Sequence, residues 1–334
     1  MRGMDFKKEK KERKKRRKFV EPTLLEMALR RVFDKIPKTK YICKNFSSIN
    51  SIAFPLKEKY EGNYETLQLS KNDTAGVYEL AFNRIDKGNS FSLKQWAEFD
   101  MVFDESEVLK DLRCVILKGN GRHFTTGMDL SVFQQIDNLY NNEPCEGRKR
   151  EAMNKVIKYF QKIISRPENL QVPVIAAIHG ACIGAGVDLI SACDLRYCTK
   201  DAFFCIKETD LGMVADVGTL QRIHHLIGVS KTLELTYTAD TIDGREAKRI
   251  GLVTECFDTK EELNEYVNKL ALKIASKSPL TIRGIKKSVL YSRDHDTTDS
   301  LNQIALWNSA TLKSDDLDEA FKSMMTKSKP EFKN

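Results

Sequence analysis

The stretch from Val172 to Arg222 constrains this chain more than any other. It opens on the apolar run VPVIAAI, turns through Gly184-Ala185-Gly186 and stays apolar to Ile190. Taken whole, Val172–Ile190 has the hydrophobicity of a membrane span, yet it contains Pro173, His179, several glycines and Asp188. Gly and Pro break helix continuity, and a charge at membrane depth is costly. The passage therefore reads as a buried strand, a glycine turn and a helix. Three acids sit in and beyond it: Asp188, Glu208 and Asp216. Glycines let backbone N–H groups approach a ligand closely. Carboxylates near such a turn are candidates for proton transfer. An oxyanion site beside acid/base carboxylates suits chemistry on a carbonyl compound.

The rest of the chain alternates in the same manner. Thr66–Ser70 and Val77–Phe82 flank Asn72-Asp73 as a β-hairpin. Asn83–Ser90 is a loop, Leu93–Val108 a helix, and Cys114–Lys118 a buried strand. A second glycine loop, Gly119–Gly127, precedes a helix expected over Met128–Ile136. Asn141–Arg148, with Pro and Gly, reads as an exposed loop before a helix over Ala152–Ile164. Val174–Ile178 is a third core strand, and Leu252–Phe257 a further one. From Glu261 onward nearly everything is helical. The pattern predicts a layered α/β body with a helical C-terminal extension. We expect a basic lead with a targeting or linker segment over 1–63, a core over 64–258, and a helical region over 259–334.

Charge is informative once it is localised. The formal excess of +8 equals the net charge of Lys7–Lys18, KKEKKERKKRRK, with ten basic and two acidic residues. The remainder is neutral, so the body lacks the charge signature of a nucleic-acid binder, and nucleic acid is not an expected partner. The segment Met27–Phe54 is rich in Arg, Lys and Ser with Asp34 as its sole acid, the composition of a mitochondrial presequence. The terminal Glu331-Phe332-Lys333-Asn334 is not an S-K-L-type peroxisomal signal. A mitochondrial location is expected, with the peroxisome as the alternative. The eight cysteines include no CxxC pair, and Cys114, Cys182, Cys193 and Cys205 lie in apolar contexts. That favours a reducing compartment with free thiols and no zinc site. The five histidines form no evident metal cluster, and His224-His225 reads as surface or packing.

The two glycine loops share one grammar. Thr126-Gly127-Met128-Asp129 and Gly184-Ala185-Gly186-Val187-Asp188 each follow a core strand and precede a helix. Each helix start offers unpaired N–H groups. Two such ends aimed at one point make an oxyanion hole, where a well-placed donor is worth roughly 3–4 kcal/mol in the transition state.

These motifs also carry a resemblance. HFTTGMDL is similar to the F-x-x-G-x-D loop of the enoyl-CoA hydratase/isomerase (crotonase) superfamily, and VPVIAAIHGACIGAGVDLISACDLR resembles its central glycine segment. ADTIDGREAKRIGLV and SDDLDEAFKSMMTKSKPEF resemble its later segments in the same order. Within the superfamily, KETDLGMVADVGTLQR and SRDHDTTDSLNQIALWN are similar to the Δ3,5-Δ2,4-dienoyl-CoA isomerases. The resemblance implies an α/β crotonase (ClpP-like) spiral of ββα units. It implies C-terminal helices that build a homotrimer or homohexamer, an acyl-CoA thioester substrate, and no metal or redox cofactor beyond the coenzyme A of the substrate.

It also implies roles. Met128 and Ala185 fall where two N–H groups hold the thioester oxygen, with Ala185 replacing the usual Gly; its methyl is expected to tighten the pocket or shift the backbone. Thr126, Gly127, Asp129, Leu130, Gly184 and Gly186 complete those loops. Asp188 and Glu208 fall where hydratases carry two glutamates, and Asp216 falls where hydratases carry Gly and the dienoyl-CoA isomerases an acid. Arg84 and Lys87 are candidates for the CoA nucleotide. Asp194, Arg196, Asp201 and Asp210 read as structural or exposed. Shifting two conjugated double bonds takes a proton from C2 and returns one at C6, so one carboxyl must be ionised and another protonated. An apolar pocket makes that division feasible. The rival readings are an enoyl-CoA hydratase and a non-catalytic RNA-binding homologue.

Overall fold

The computed structural model describes residues 64–72, 76–106, 109 and 111–333. The basic run, the presequence-like segment and the proposed 1–63 lead lie outside the described residues. Nine strands form two sheets among them. β1 (Leu67–Asn72), β2 (Val77–Phe82), β3 (Cys114–Gly119), β4 (Val174–Ile178), β6 (Leu195–Thr199) and β9 (Glu255–Phe257) make a six-stranded sheet in the order β1-β2-β3-β4-β6-β9. β1 and β2 pair antiparallel, and the rest are parallel. β5 (Ala181–Ile183), β7 (Phe203–Cys205) and β8 (Ile242–Asp243) make a second, three-stranded sheet. Successive turns of chain give one strand to each sheet and then a helix, as in β4, β5 and the Ala185–Ser191 helix. This is the ββα spiral that the resemblance implies.

The unbroken apolar runs follow from burial on both faces of parallel strands. Val115 and Leu117 of β3 and Val174, Ala176 and Ile178 of β4 face the main core. Their neighbours Cys114, Ile116, Ile175 and Ala177 face the other way, onto Leu263, Val267, Ala271 and Ala275. Those four lie at every fourth position of the Lys260–Ala275 helix, so one stripe covers that face. The main core is rich in rings: Phe82 meets Phe91 and Phe124 edge-on, and Trp96 bridges Phe91 and Phe160. Because the Lys260–Ala275 helix packs on the main sheet, the body continues in packing terms past the boundary expected at 258.

Three local expectations differ from what is observed. The loop expected over Asn141–Arg148 shrinks to 143–145, because helices run over Leu130–Asn142 and Glu146–Ile164. Pro144 forces its neighbour Glu143 into an extended conformation and confines the break there, while Gly147 is simply helical, with room for a side chain beside Cys145 Sγ at 3.9 Å. The strand expected over Leu252–Phe257 pairs only from Glu255, because Leu252 and Val253 donate back to Ala247 O at 2.9 and 3.3 Å. The helix expected from Met128 starts at Leu130, with Asp129 as its N-cap.

Candidate active site

The site lies where the loop after β3 meets the turn after β5. Thr125 pairs with Cys182, donating its N–H to Ala181 O at 2.9 Å and accepting Ile183 N–H at 3.2 Å. Gly127 has φ +90°, and a side chain there would come within 2.8 Å of Ile183 O and 3.9 Å of Ala185 N. Only glycine suits that backbone and that proximity. From Phe124 to Asp129 each N–H finds an acceptor among the described residues except that of Met128. Ala185 is the first residue of its helix, so its N–H has no intrahelical acceptor. Two unpaired donors thus border one another across Gly127. The Ala185 side chain belongs to the main apolar core and is buried. Its methyl therefore points inward, and the departure from Gly leaves the donor in place.

Asp188 and Glu208 meet at the same turn, and Asp216 is near enough for its charge to act on both. Asp188 sits one helical turn into the Ala185–Ser191 helix with 0% exposure, and its Oδ1 accepts Thr219 N–H at 2.6 Å. Glu208 opens the short 3-10 turn Glu208–Leu211, half-buried. Its Oε1 lies 3.2 Å from where a side chain on Gly184 would begin, so glycine there lets the carboxyl approach the turn. Asp188 Oδ2 and Glu208 Oε2 receive no hydrogen bond from a fixed donor among the described residues. The two carboxyls are close enough to act on each other's titration. A proton on one of them lowers the cost of burying both.

Electrostatics separates the three. Burial first, then the charges of Glu208 and Asp216, pushes Asp188 up to about 7. Burial and then the Asp216 charge raise Glu208. Burial alone raises Asp216, which is exposed in the single chain and so loses least by ionising. Asp216 stands nearer to solvent than the other two, and its charge acts to raise both of them. Gln161 fixes the Asp216 main chain, donating Nε2–H to Asp216 O at 2.7 Å.

Other expected residues fall into place around this centre. Asp129 caps the Leu130–Asn142 helix through Ser131 N–H at 3.0 Å and pairs with Arg84 at 3.0 Å. Burial works to raise its carboxyl, but Ser131 and Arg84 outweigh it and bring Asp129 down to about 2. Arg84 also donates to Ser90 O, so its guanidinium is turned into the loop, whereas Lys87 is exposed. Thr126 is half-buried with its N–H on Gly88 O, Gly186 packs against Thr125, and Leu130 is 73% exposed. Asp194 accepts from Lys286 at 2.8 Å, and Arg196 donates to Leu252 O at 3.0 Å; both are structural. Residues that the sequence did not single out also contribute: Thr219 through its N–H, Gln161, Thr125 and Asn89. Thr125 and Thr219 lie inside the quoted motifs, but nothing in sequence marks their roles, because their partners Asn89 and Asp188 lie some tens of residues away.

Among the described residues no group of three or more His, Cys, Asp or Glu is placed to hold a metal, and no helix is long and apolar enough to cross a membrane. The seven cysteines among them are free.

A two-sheet spiral with an N–H pair beside clustered carboxyls defines a class, and the comparisons agree with it. The family model described as enoyl-CoA hydratase/isomerase matches residues 72–334, and the chain belongs to that family. It is 44% identical over 271 residues, 81% of this chain and 98% of the other, to the peroxisomal Delta(3,5)-Delta(2,4)-dienoyl-CoA isomerase of Arabidopsis thaliana. It is 39% identical over 263 residues, 78% of this chain and 80% of the other, to the mitochondrial enzyme of that name from Homo sapiens. Among solved structures, an enoyl-CoA hydratase from Bacillus anthracis superposes with a TM-score of 0.71 at 28% identity, over 80% of this chain and 99% of that one.

Proposed function

We propose that this chain is a dienoyl-CoA isomerase that converts a 3,5-dienoyl-CoA to the 2,4-dienoyl-CoA in the β-oxidation of unsaturated fatty acids. The observation that carries the reading is a solvent-exposed Asp216 whose charge acts on the buried Asp188 and on the half-buried Glu208 at the Gly184 turn. Met128 and Ala185 N–H groups receive the thioester oxygen. Asp216 takes a proton from C2, and the electron pair moves into a trienolate that ends on that oxygen. Glu208 delivers a proton to C6, the electrons return, and the double bonds settle at C2 and C4. Asp188 holds the Glu208 carboxyl and tunes its charge. The net reaction moves one proton and needs neither metal nor redox cofactor.

The particular acids favour this over hydration. A hydratase positions water with two carboxylates; here a proton on Asp188 or Glu208 lowers the cost of burying both, and a third acid stands nearby. An ultraviolet assay with 3,5-dienoyl-CoA and 2-enoyl-CoA in parallel separates the two. Isomerisation extends conjugation to the thioester, and hydration shortens it. Rapid absorbance gain with the dienoyl substrate is expected; dominant loss with the enoyl substrate would replace this reading with the hydratase.

Relatives bear mitochondrial and peroxisomal names. The proposed site of action is the mitochondrion, with the peroxisome as alternative, and imaging of the untagged protein distinguishes them. A homotrimer or homohexamer is the proposed assembly.

A further inference from the structure

The loop that carries Met128 is built on the turn that precedes the Leu93–Ser106 helix, and Asn89 is where the two join. Asn89 is 1% exposed and adopts φ +58°, a left-handed conformation that few residues other than glycine take. Its N–H closes the turn onto Arg84 O at 2.9 Å. Its side-chain amide lies between two carbonyl oxygens of the neighbouring loop, Asn120 O at 2.9 Å and His123 O at 2.8 Å. Both partners only accept, so the amide nitrogen must face them. That orientation leaves Asn89 Oδ1 buried and without a donor among the described residues. An unpartnered buried acceptor is unfavourable, so the two donor bonds are held against a standing cost.

The main-chain carbonyl of Asn89 continues the chain of contacts. It accepts the Thr125 hydroxyl at 2.8 Å, and Thr125 Oγ1 in turn accepts Gly127 N–H at 3.1 Å. Thr126 N–H goes to Gly88 O at 3.0 Å, Gly127 O accepts Phe91 N–H at 2.8 Å, and Asp129 N–H goes to Phe91 O at 3.1 Å. The turn 88–91 thereby accepts the Thr126 and Asp129 N–H groups directly and holds the Gly127 N–H by way of Thr125, and the Met128 N–H keeps no acceptor among the described residues.

We infer that Asn89 is a positioning residue of the oxyanion hole: through Thr125 and Gly127 it sets the direction of the Met128 N–H. The inference rests on the reading of Met128 as a thioester-oxygen donor. Asn89 itself touches no substrate. Asn89→Gly keeps the left-handed backbone and removes the amide. Thr125→Val keeps the packed methyl and breaks the hydroxyl relay, and Thr125→Ser restores the hydroxyl.

The test uses the full chain and two readouts besides thermal melting. One is kcat and KM with 3,5-dienoyl-CoA. The other is the infrared carbonyl stretch of bound octanoyl-CoA labelled with carbon-13 at C1, which cannot isomerise. In the wild type the bound stretch should lie below that of the free ligand. Asn89→Gly and Thr125→Val should each lower kcat by about 10²-fold, the loss typical of one oxyanion donor, with much less change in KM. Both should return the carbonyl stretch toward the free value, and Thr125→Ser should recover most of kcat and of the shift. Folded variants with kcat within a few-fold of wild type and an unmoved stretch would overturn the inference, leaving Asn89 as a turn residue. Loss of native circular dichroism in both Asn89→Gly and Thr125→Val would overturn it too, because the contacts would then serve the fold. A wild type that shifts the carbonyl but does not isomerise dienoyl-CoA would sink the isomerase reading and leave this inference standing.

Discussion

At the scale of single residues, the three carboxyls divide their labour by burial. Asp216, the exposed one, is expected to act as base, so Asp216→Asn should lower kcat by roughly 10²–10⁴-fold, the usual worth of general acid–base catalysis. Glu208→Gln should be comparably severe. The double variant should lose far less than the product of the two, because both serve one proton relay. Steady-state kinetics on folded variants checks this, with acyl-CoA binding retained through backbone donors; full activity in Asp216→Asn would return that residue to a loop carboxylate. Asp188 makes a separate prediction about stability. Its carboxyl is raised from 3.8 to about 7 by burial and by the charges of Glu208 and Asp216. The folded state therefore binds its proton more tightly than the unfolded chain does. The stability this confers is complete below about pH 4 and is lost as pH rises through about 7. Asp188→Asn keeps the acceptor for Thr219 N–H and removes the titration. Between pH 5 and pH 8 the wild type should lose on the order of 1–4 kcal/mol relative to the variant. Parallel melting curves with equal pH dependence would contradict the buried proton.

At the scale of elements, the Lys260–Ala275 helix shows how local chemistry fixes a packing unit. Thr259 accepts Glu262 N–H at 3.1 Å, and Glu262 reaches back to Thr259 N–H at 3.3 Å. This reciprocal cap starts the helix that covers the outer face of the main sheet. Thr259→Ala should cost about 1 kcal/mol of stability. Activity should be unaffected at temperatures where the protein is folded; a lower melting temperature with unchanged kcat is the expected pair of results. The elements also show what was legible in sequence. β3 and β4 stood out because burial on both faces makes Cys114–Leu117 and Val174–Ile178 continuously apolar. β5 and β7 did not, because three residues leave no periodicity to read, and Ala181–Ile183 merges into the glycine turn. The glycine turn drew attention to Asp188, Glu208 and Asp216, but their separate roles came only through resemblance to a family; no spacing along the chain joins residues on a helix, a 3-10 turn and a loop. Asn89 was invisible for a related reason. It sits in the loop Asn83–Ser90, and its partners Asn120, His123 and Thr125 lie more than thirty positions away.

At the scale of the whole molecule, the C-terminal helices are the conspicuous remainder. Leu301, Leu306, Phe321 and Met325 on the helices Thr297–Thr311 and Asp315–Thr326, and Leu312 at the end of the first, are exposed by 56% or more in the single chain. Apolar surface on this scale is covered in stable assemblies. Light scattering of the purified chain should report a trimer or hexamer, and deletion after Asp299 should leave aggregated or monomeric protein; a soluble monomer of the intact chain would count against it. The central claim joins all three scales: one carboxyl removes a proton at C2 and another delivers one at C6. Nuclear magnetic resonance of the product formed in deuterium oxide tests it directly. Both carboxyls exchange with solvent, so the 2,4-dienoyl-CoA should carry one deuterium at C6 and keep protium at C2. A product without deuterium at C6, or one with deuterium at C2 and a hydroxyl at C3, would contradict the two-acid isomerisation.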